Sequence, residues 1–463
     1  MKNKIINLML VISLISLTIA GCSKKEKSND NRTDENIVSV ETEKEVKKPK
    51  KEYADVRYIL GGKEGFEYGI KPDEEIKINV GNTLGFVAHI KDKYSEMLSE
   101  DEEITVNFTS DEGVINEETQ SIYFEKAGSY VIHVTYSING ENENTVEVKV
   151  LVEETVLGNN PLNMFNNNRL LKTSKGEVFI VDPEDYDDVF VGTLDDYFKT
   201  GTRVDTIFTY DFQQESGIDD IAGLNEYNGD IYFSSDFSIY KLSSDYKTAE
   251  LITTNKDGII RYFTIINGEI YYYICTSTNR DEGHFYRASL DGKIIKKSEE
   301  LYNVRYVTYK DGCIVFGGHG KNNNFGIYRM PISLDYIEWI PDITWKGKYA
   351  YCNDKVYSMN SMGLMEYEKG NAKEYNIIHD GEIVDILSVN NKLYFMSRYK
   401  NWDTLYEYDP VTQQKQLLRY SFGDGVLRNV SAMDMVDDVI IAYIPGEHIE
   451  LYNLTTKEYR TVD

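Results

Sequence analysis

Three arginines, Arg169, Arg261 and Arg305, each stand nine residues before an apolar triplet of a repeating pattern and so occupy one register of the repeat. A guanidinium presents a rigid planar fork of donors that matches a carboxylate or phosphate. Three forks on one rim would form a local anion site in a chain of formal net charge −27. The competing reading pairs each arginine with a carboxylate of a neighbouring repeat. Tyr399 and Trp402, in a polar stretch from Arg398 to Asp403, add aromatic faces that could stack on a sugar ring or grip a peptide.

Residues arranged for catalysis are harder to find. The chain has no Gly-x-Ser-x-Gly elbow, no His-Glu-x-x-His, no phosphate-cradling loop and no dinucleotide fingerprint. His284, His319, His379 and His448 fall at unrelated places in four repeats, which gives a metal nothing to converge on, and His89 and His133 read as strand-surface residues. Asn279-Arg280-Asp281-Glu282-Gly283 alternates oxygen donors before a glycine, but lacks the distal glutamate of a calcium loop and reads as a solvated loop. Cys275, Cys313 and Cys352 are scattered without Cys-x-x-Cys spacing, so they read as small buried strand residues rather than zinc ligands or a disulfide framework. No cofactor is expected. The acidic surface repels nucleic acid, whose binding depends on clustered Lys and Arg.

The elements that must position these residues are strands. Thirty-seven tyrosines against eight prolines suit extended structure. From residue 160 to 463 a turn dipeptide followed by an apolar-aromatic triplet recurs, as in Asn228-Gly229 before Ile231-Tyr232-Phe233 and Asn267-Gly268 before Ile270-Tyr271-Tyr272. The triplets begin at 178, 231, 270, 314, 356, 393 and 439, the spacing of four-stranded propeller blades. A second signature, Ile239-Tyr240-Lys241-Leu242 or Ile327-Tyr328-Arg329-Met330, marks the third strand. The first unit is the least regular, which leaves six blades plus an irregular segment as an alternative to about seven. Neither end offers a strand to exchange across the closure. These units resemble an uncharacterised family of bacterial surface propellers related in pattern to the low-density-lipoprotein-receptor propeller, without that receptor's Tyr-Trp-Thr-Asp motif.

Residues 52–157 alternate as half-buried antiparallel strands, with Tyr130, Ile132, Val134 and Tyr136 on one face and Val146, Val148, Val150 and Val152 on another. Lys126-Ala127-Gly128-Ser129-Tyr130 resembles the tyrosine corner of immunoglobulin-like sandwiches, in the disulfide-free form of bacterial modules. The fold class expected is therefore all-β, a small immunoglobulin-like β-sandwich followed by a β-propeller.

Lys2 and Lys4 precede an apolar run from Ile5 to Ala20, a signal peptide over residues 1–21. Ile19-Ala20-Gly21-Cys22 resembles the lipobox of bacterial lipoproteins, which implies lipid on Cys22 and cleavage before it. Residues 22–51 are nearly all polar or charged and predict a disordered linker. The composition is reminiscent of Gram-positive lipoproteins. The expected protein is extracytoplasmic, tied to the cell membrane through Cys22, and non-enzymatic, its propeller recognising a protein or glycan partner. The alternative is an extracellular propeller hydrolase or lyase acting on polysaccharide.

Overall fold

The triplets that repeat in the sequence are the second strands of seven antiparallel sheets. In the computed structural model the described residues run from 54 to 462, except 61–66, 71–74, 91–103, 118–119, 139–140, 182–188, 203–204, 208–217, 219–220, 277–281, 320–324, 341–346, 353–354, 361–362, 369–370, 400–401, 423–429 and 445–447. The signal segment, Cys22 and the polar linker lie outside the described residues, as does most of the loop at Asn279.

Among the described residues seven blades follow one another, at 170–207, 221–254, 258–297, 301–340, 349–380, 382–422 and 432–462. Within each, four strands pair in chain order, here strands A to D from the axis outward; blades 3 and 4 also share two pairs, Glu282 with Tyr302 and Gly283 with Leu301. The first unit is a full blade despite its irregular spacing. Tight turns join A to B because both central residues hold positive φ: Asn228 (54°) with Gly229 (82°), and Asn267 (52°) with Gly268 (75°). Such turns match the right-handed twist of the paired strands. The second strands are buried on both faces, as Val439–Ile444 shows at every position, because each blade packs between two others. Phe233, Tyr272, Phe316 and Phe395 stack on the third-strand aromatics Tyr240, Tyr286, Tyr328 and Tyr406 at 5.3–5.8 Å.

Blades 1 and 7 meet without exchanging a strand among the described residues. Leu170, Ile180 and Tyr197 from one side and Ile441, Tyr443 and Leu451 from the other share a core, and Lys172 reaches Asp437 at 2.6 Å.

Before the blades, two sheets share a core of Phe86, Phe108, Ile132, Val134, Val148 and Val150. One sheet is ordered Glu67–Gly69, Ala54–Leu60, Leu84–Ile90, Ser121–Tyr123, Val114–Asn116; the other Glu75–Asn79, Glu141–Glu153, Gly128–Ile138, Ile104–Thr109. Ile132 and Val134 are fully buried while Val131 between the strand's inward positions is exposed, the period of two that the sequence carries. Tyr130 Oη donates to Lys126 O at 2.9 Å, the bond that a tyrosine corner makes.

This two-sheet region docks on blade 4. Tyr123 inserts its ring among Cys313, Val315, Ile327 and Tyr349. Thr83 donates to Asp335 at 2.7 Å, and Arg329 bridges Glu125 (3.2 Å) and Glu338 (2.6 Å). The turns at Gly81 (φ 83°) and Gly312 (φ 78°) touch backbone to backbone; a Cβ on Gly81 would lie 2.0 Å from Gly312 O. Gly312 belongs to an A–B turn, so the docked region occupies the A–B side of the ring.

Candidate functional site

Between the two-sheet region and blade 1 the chain runs along the propeller axis. Val156 and Asn267 exchange hydrogen bonds, Gly158 bonds to Ile265 and Glu226, and a single helical turn, Pro161–Met164, is capped by the Asn160 side chain. Asn160 caps because its amide oxygen accepts from Leu162 N at 3.0 Å, and Pro161 follows it where a missing N–H costs nothing. The asparagines then reach in different directions. Asn159 Nδ2 donates to Leu170 O (2.8 Å) and Leu224 O (2.7 Å) in blades 1 and 2. Asn168 Nδ2 donates to Phe263 O in blade 3 at 2.8 Å, and Thr308 in blade 4 donates to Pro161 O at 2.8 Å. Asn166 Nδ2 donates to Met433 O and Asp434 Oδ1 in blade 7, both at 2.8 Å, while Asn163 Oδ1 accepts from Met435 N. Phe165 packs edge-on against Tyr349 of blade 5, and Leu162 against the core that blades 6 and 7 share. The axial channel is thus filled by the chain itself.

At the first strands of blades 5 to 7 this plug meets a buried charge cluster. Lys348 and Asp385 are 3 % and 2 % exposed in their side chains and lie 2.5 Å apart. Asp385 accepts from Ile386 N (2.6 Å) and Met433 N (2.7 Å), and Asp434 from Tyr443 Oη (2.9 Å) as well as Asn166. Lys348 also stands over the Phe165 ring and within 3.5 Å of Asn166 Oδ1. One ammonium therefore serves two buried carboxylates. Burial pushes the Asp434 carboxyl up to about 6, against the pull of Lys348 and its two hydrogen bonds, and the Asp385 charge adds to the rise. Two carboxylates at an axis invite comparison with a glycosidase, but here each is saturated by fixed partners.

The face opposite the A–B turns carries the strand A entrances and the B–C turns. Arg261 and Arg305 are exposed there, each at a bulge: register shifts fall between Ile260 and Tyr262 and on both sides of Arg305. Asn303 Oδ1 accepts from Arg305 Nε at 2.9 Å. Neither guanidinium has a carboxylate partner among the described residues, and both bear on the Tyr262 hydroxyl, opposing the rise to about 12 that burial imposes on it. Arg169 is half-buried at the entrance to blade 1 and bears on Tyr443. The structure thus sets Arg261 and Arg305 on adjacent blades, with Arg169 two blades from Arg261.

Tyr399 and Trp402 face each other across the blade 6 hairpin, since strands Lys392–Tyr399 and Trp402–Asp409 extend to them. The polar stretch from Arg398 to Asp403 is the end of a hairpin whose strands pair out to Tyr399 and Trp402, fixed by Arg398 gripping Asp403 at 2.9 and 3.3 Å. Trp402 is half-buried, and the Tyr399 side chain is outside the described residues.

A Ser–His contact occurs at Ser397 and His379, 2.7 Å apart. Lys415 donates to His379 Nδ1 at 3.1 Å, which leaves Nε2 bearing the proton and donating to Ser397. Burial, then Lys415, depresses the imidazole pKa. A serine that accepts this proton is not activated by it. Among the described residues no group of three or more His, Cys, Asp or Glu could hold a metal ion, and no helix is long and apolar enough to cross a membrane.

The shared register of the three arginines was legible in the sequence. Lys348, Asp385, Asp434 and the plug were not, although six asparagines among residues 159–168 are a signal that backbone groups are being met from the side.

No family model and no curated protein matches the chain. Among solved structures, a chain of the nidogen–laminin complex is similar over 50 % of this chain and 92 % of its own, at 11 % identity and a TM-score of 0.34. An uncharacterized protein of Listeria monocytogenes EGD-e aligns over 52 % and 90 %, at 14 % identity and a TM-score of 0.28. The WD40 domain of Neurospora crassa Pan2 aligns over 51 % and 76 %, at 10 % identity and a TM-score of 0.35.

Proposed function

We propose that this chain is a non-enzymatic recognition or scaffold protein, held at a membrane surface by lipid on Cys22, whose propeller binds a protein partner on the face carrying Arg169, Arg261 and Arg305. The observation that carries the reading is the occupation of the other routes. The two-sheet region sits over the A–B side at blade 4, and the axis is filled by residues 156–168. Among the described residues nothing covers the face of strand entrances and B–C turns, where Arg261 and Arg305 stand without carboxylates, in a chain of charge −27. A polar tether and an immunoglobulin-like spacer would present that face away from the membrane.

The test is site-directed photo-cross-linking of the full chain in its own cells. A photoreactive residue at Phe237, in a B–C turn of the open face, is expected to yield discrete protein adducts; one at Asn390, in an A–B turn, is not. Adducts from Asn390 alone would overturn the assignment of the face. Turnover of a polysaccharide by the purified chain would overturn the non-enzymatic reading.

A further inference from the structure

Propeller faces usually expose mixed polar surface, yet three features coincide on one sector of this one. Phe237 forms the B–C turn of blade 2 and is 43 % exposed. That turn is locked onto the chain entering blade 3: Phe237 O accepts from Asn255 N, in the connection between the blades, at 2.7 Å, and Asp236 O accepts from Ile260 N at 2.6 Å. The next residue of blade 3 is Arg261, exposed and without a carboxylate partner among the described residues. On blade 4, Arg305 is held through Nε by Asn303, which leaves its two terminal nitrogens directed by a fixed side chain yet free of carboxylates among the described residues. The backbone around it turns through the left-handed region at Asn303 (φ 53°), where asparagine is at home, and at Tyr306 (φ 52°), where a bulky side chain is strained.

Each feature has a cost that folding alone does not explain. Phe237 leaves 43 % of its surface in water at the tip of a turn. Two arginines on neighbouring blades repel, and in a chain with 77 acidic residues neither has been given a carboxylate among the described residues.

We propose that Phe237, Arg261 and Arg305 form one docking sector for a protein segment that presents a carboxylate beside an apolar side chain; this rests on the open face being the binding face. The guanidinium forks receive the carboxylate bidentately, and Phe237 supplies the apolar contact. Polyanions are disfavoured because the net charge of −27 repels them at long range, whereas two arginines attract a single carboxylate inside the Debye length of about 8 Å at physiological salt. The sector therefore selects a locally acidic, otherwise weakly charged ligand.

The experiment pans a random 12-residue peptide library displayed on phage against the purified chain, without prior choice of ligand. Enriched peptides are expected to share Asp or Glu next to an apolar residue. Their affinity should fall about 30-fold in Arg261→Gln/Arg305→Gln and about 10-fold in Phe237→Ser, and weaken with salt. Arg305→Lys, which keeps the charge and loses the fork, should recover less than half of the loss on a logarithmic scale. Unchanged melting temperatures, expected for three exposed positions, exclude misfolding. Enriched peptides that bind the double variant as tightly as the parent overturn this sector, and if they cross-link elsewhere on the open face the wider reading survives. Enriched peptides that cross-link only to the A–B side overturn both.

Discussion

Replacing Asp434 with asparagine tests the charge arithmetic at the axis. In the folded chain this carboxyl titrates near 6 instead of the ordinary 3.8, raised chiefly by complete burial, with Asp385 adding to the rise and Lys348 opposing it. A group whose pKa is raised by folding contributes fully below its unfolded value and loses that contribution as pH climbs through its folded value. Asp434 thus favours the folded state below pH 3.8 and disfavours it, relative to a neutral residue, above about pH 6. The gap corresponds to about 3 kcal/mol. In Asp434→Asn the new amide retains an acceptor for Asn166 and can donate to Tyr443 Oη, so the hydrogen bonds survive in outline. Urea unfolding of both proteins from pH 4 to 8 gives the difference in stability at each pH, in which groups unaffected by the substitution cancel. The variant is expected to gain by about 2–3 kcal/mol on going from pH 4 to 8, relative to the parent. A difference that is flat with pH, or that moves the opposite way, refutes the reasoning.

Removing the other charge should be costly: Lys348→Met leaves two buried carboxylates without a cation and is expected to cost about 3–5 kcal/mol at pH 7, with Lys348→Met/Asp385→Asn recovering much of it in the same unfolding assay. Burial pushes the Cys313 thiol up to about 12, so a thiol reagent at pH 8 should label it no faster than the chain unfolds. Tyr123→Ala, which uncovers it, should speed labelling at least tenfold. Gly81→Ala drives a methyl into the Gly312 carbonyl at a backbone angle that alanine resists; hydrogen exchange near Tyr123 and Cys313 should rise while the blades distant from the contact stay protected. Asn168→Ala removes the 2.8 Å donor to the buried Phe263 carbonyl, which keeps the longer bond from Asn225 Nδ2 at 3.4 Å, and is expected to cost about 1–2 kcal/mol in thermal unfolding.

The blades were readable because local chemistry repeats in them. Asn267-Gly268 can hold two successive positive φ values, and Ile270-Tyr271-Tyr272 cannot do without a neighbour on each face. Tyr130 and its bond to Lys126 were readable for the same reason, since four residues separate donor and acceptor. The plug was not, because its partners lie far along the chain: Asn166 meets Asp434 across 268 positions and Asn163 meets Met435 across 272. An asparagine-rich stretch beside a proline has the composition of a surface loop, and only the ring around it makes it interior. Arg398 and Asp403 misled in the opposite sense, two charges that suggest a solvated loop being the pair that pins a hairpin end. For Arg261 and Arg305 the register was visible, but whether carboxylates met them depended on neighbouring blades.

The axial segment also sets an order of events during synthesis. Residues 156–168 leave the ribosome before any blade does, while the groups that complete their bonding, at Met433, Asp434 and Met435, arrive last. Each blade emerging in turn finds the axial segment already synthesised, with backbone and asparagine groups placed to bond to it. That placement suits the hub to serve as a template, whereas a ring closed by strand exchange must hold an edge unpaired until its end arrives. Circular permutants that open the chain between blades should keep this template and assemble, and those that cut between Asn168 and Leu170 should lose the order while retaining every contact.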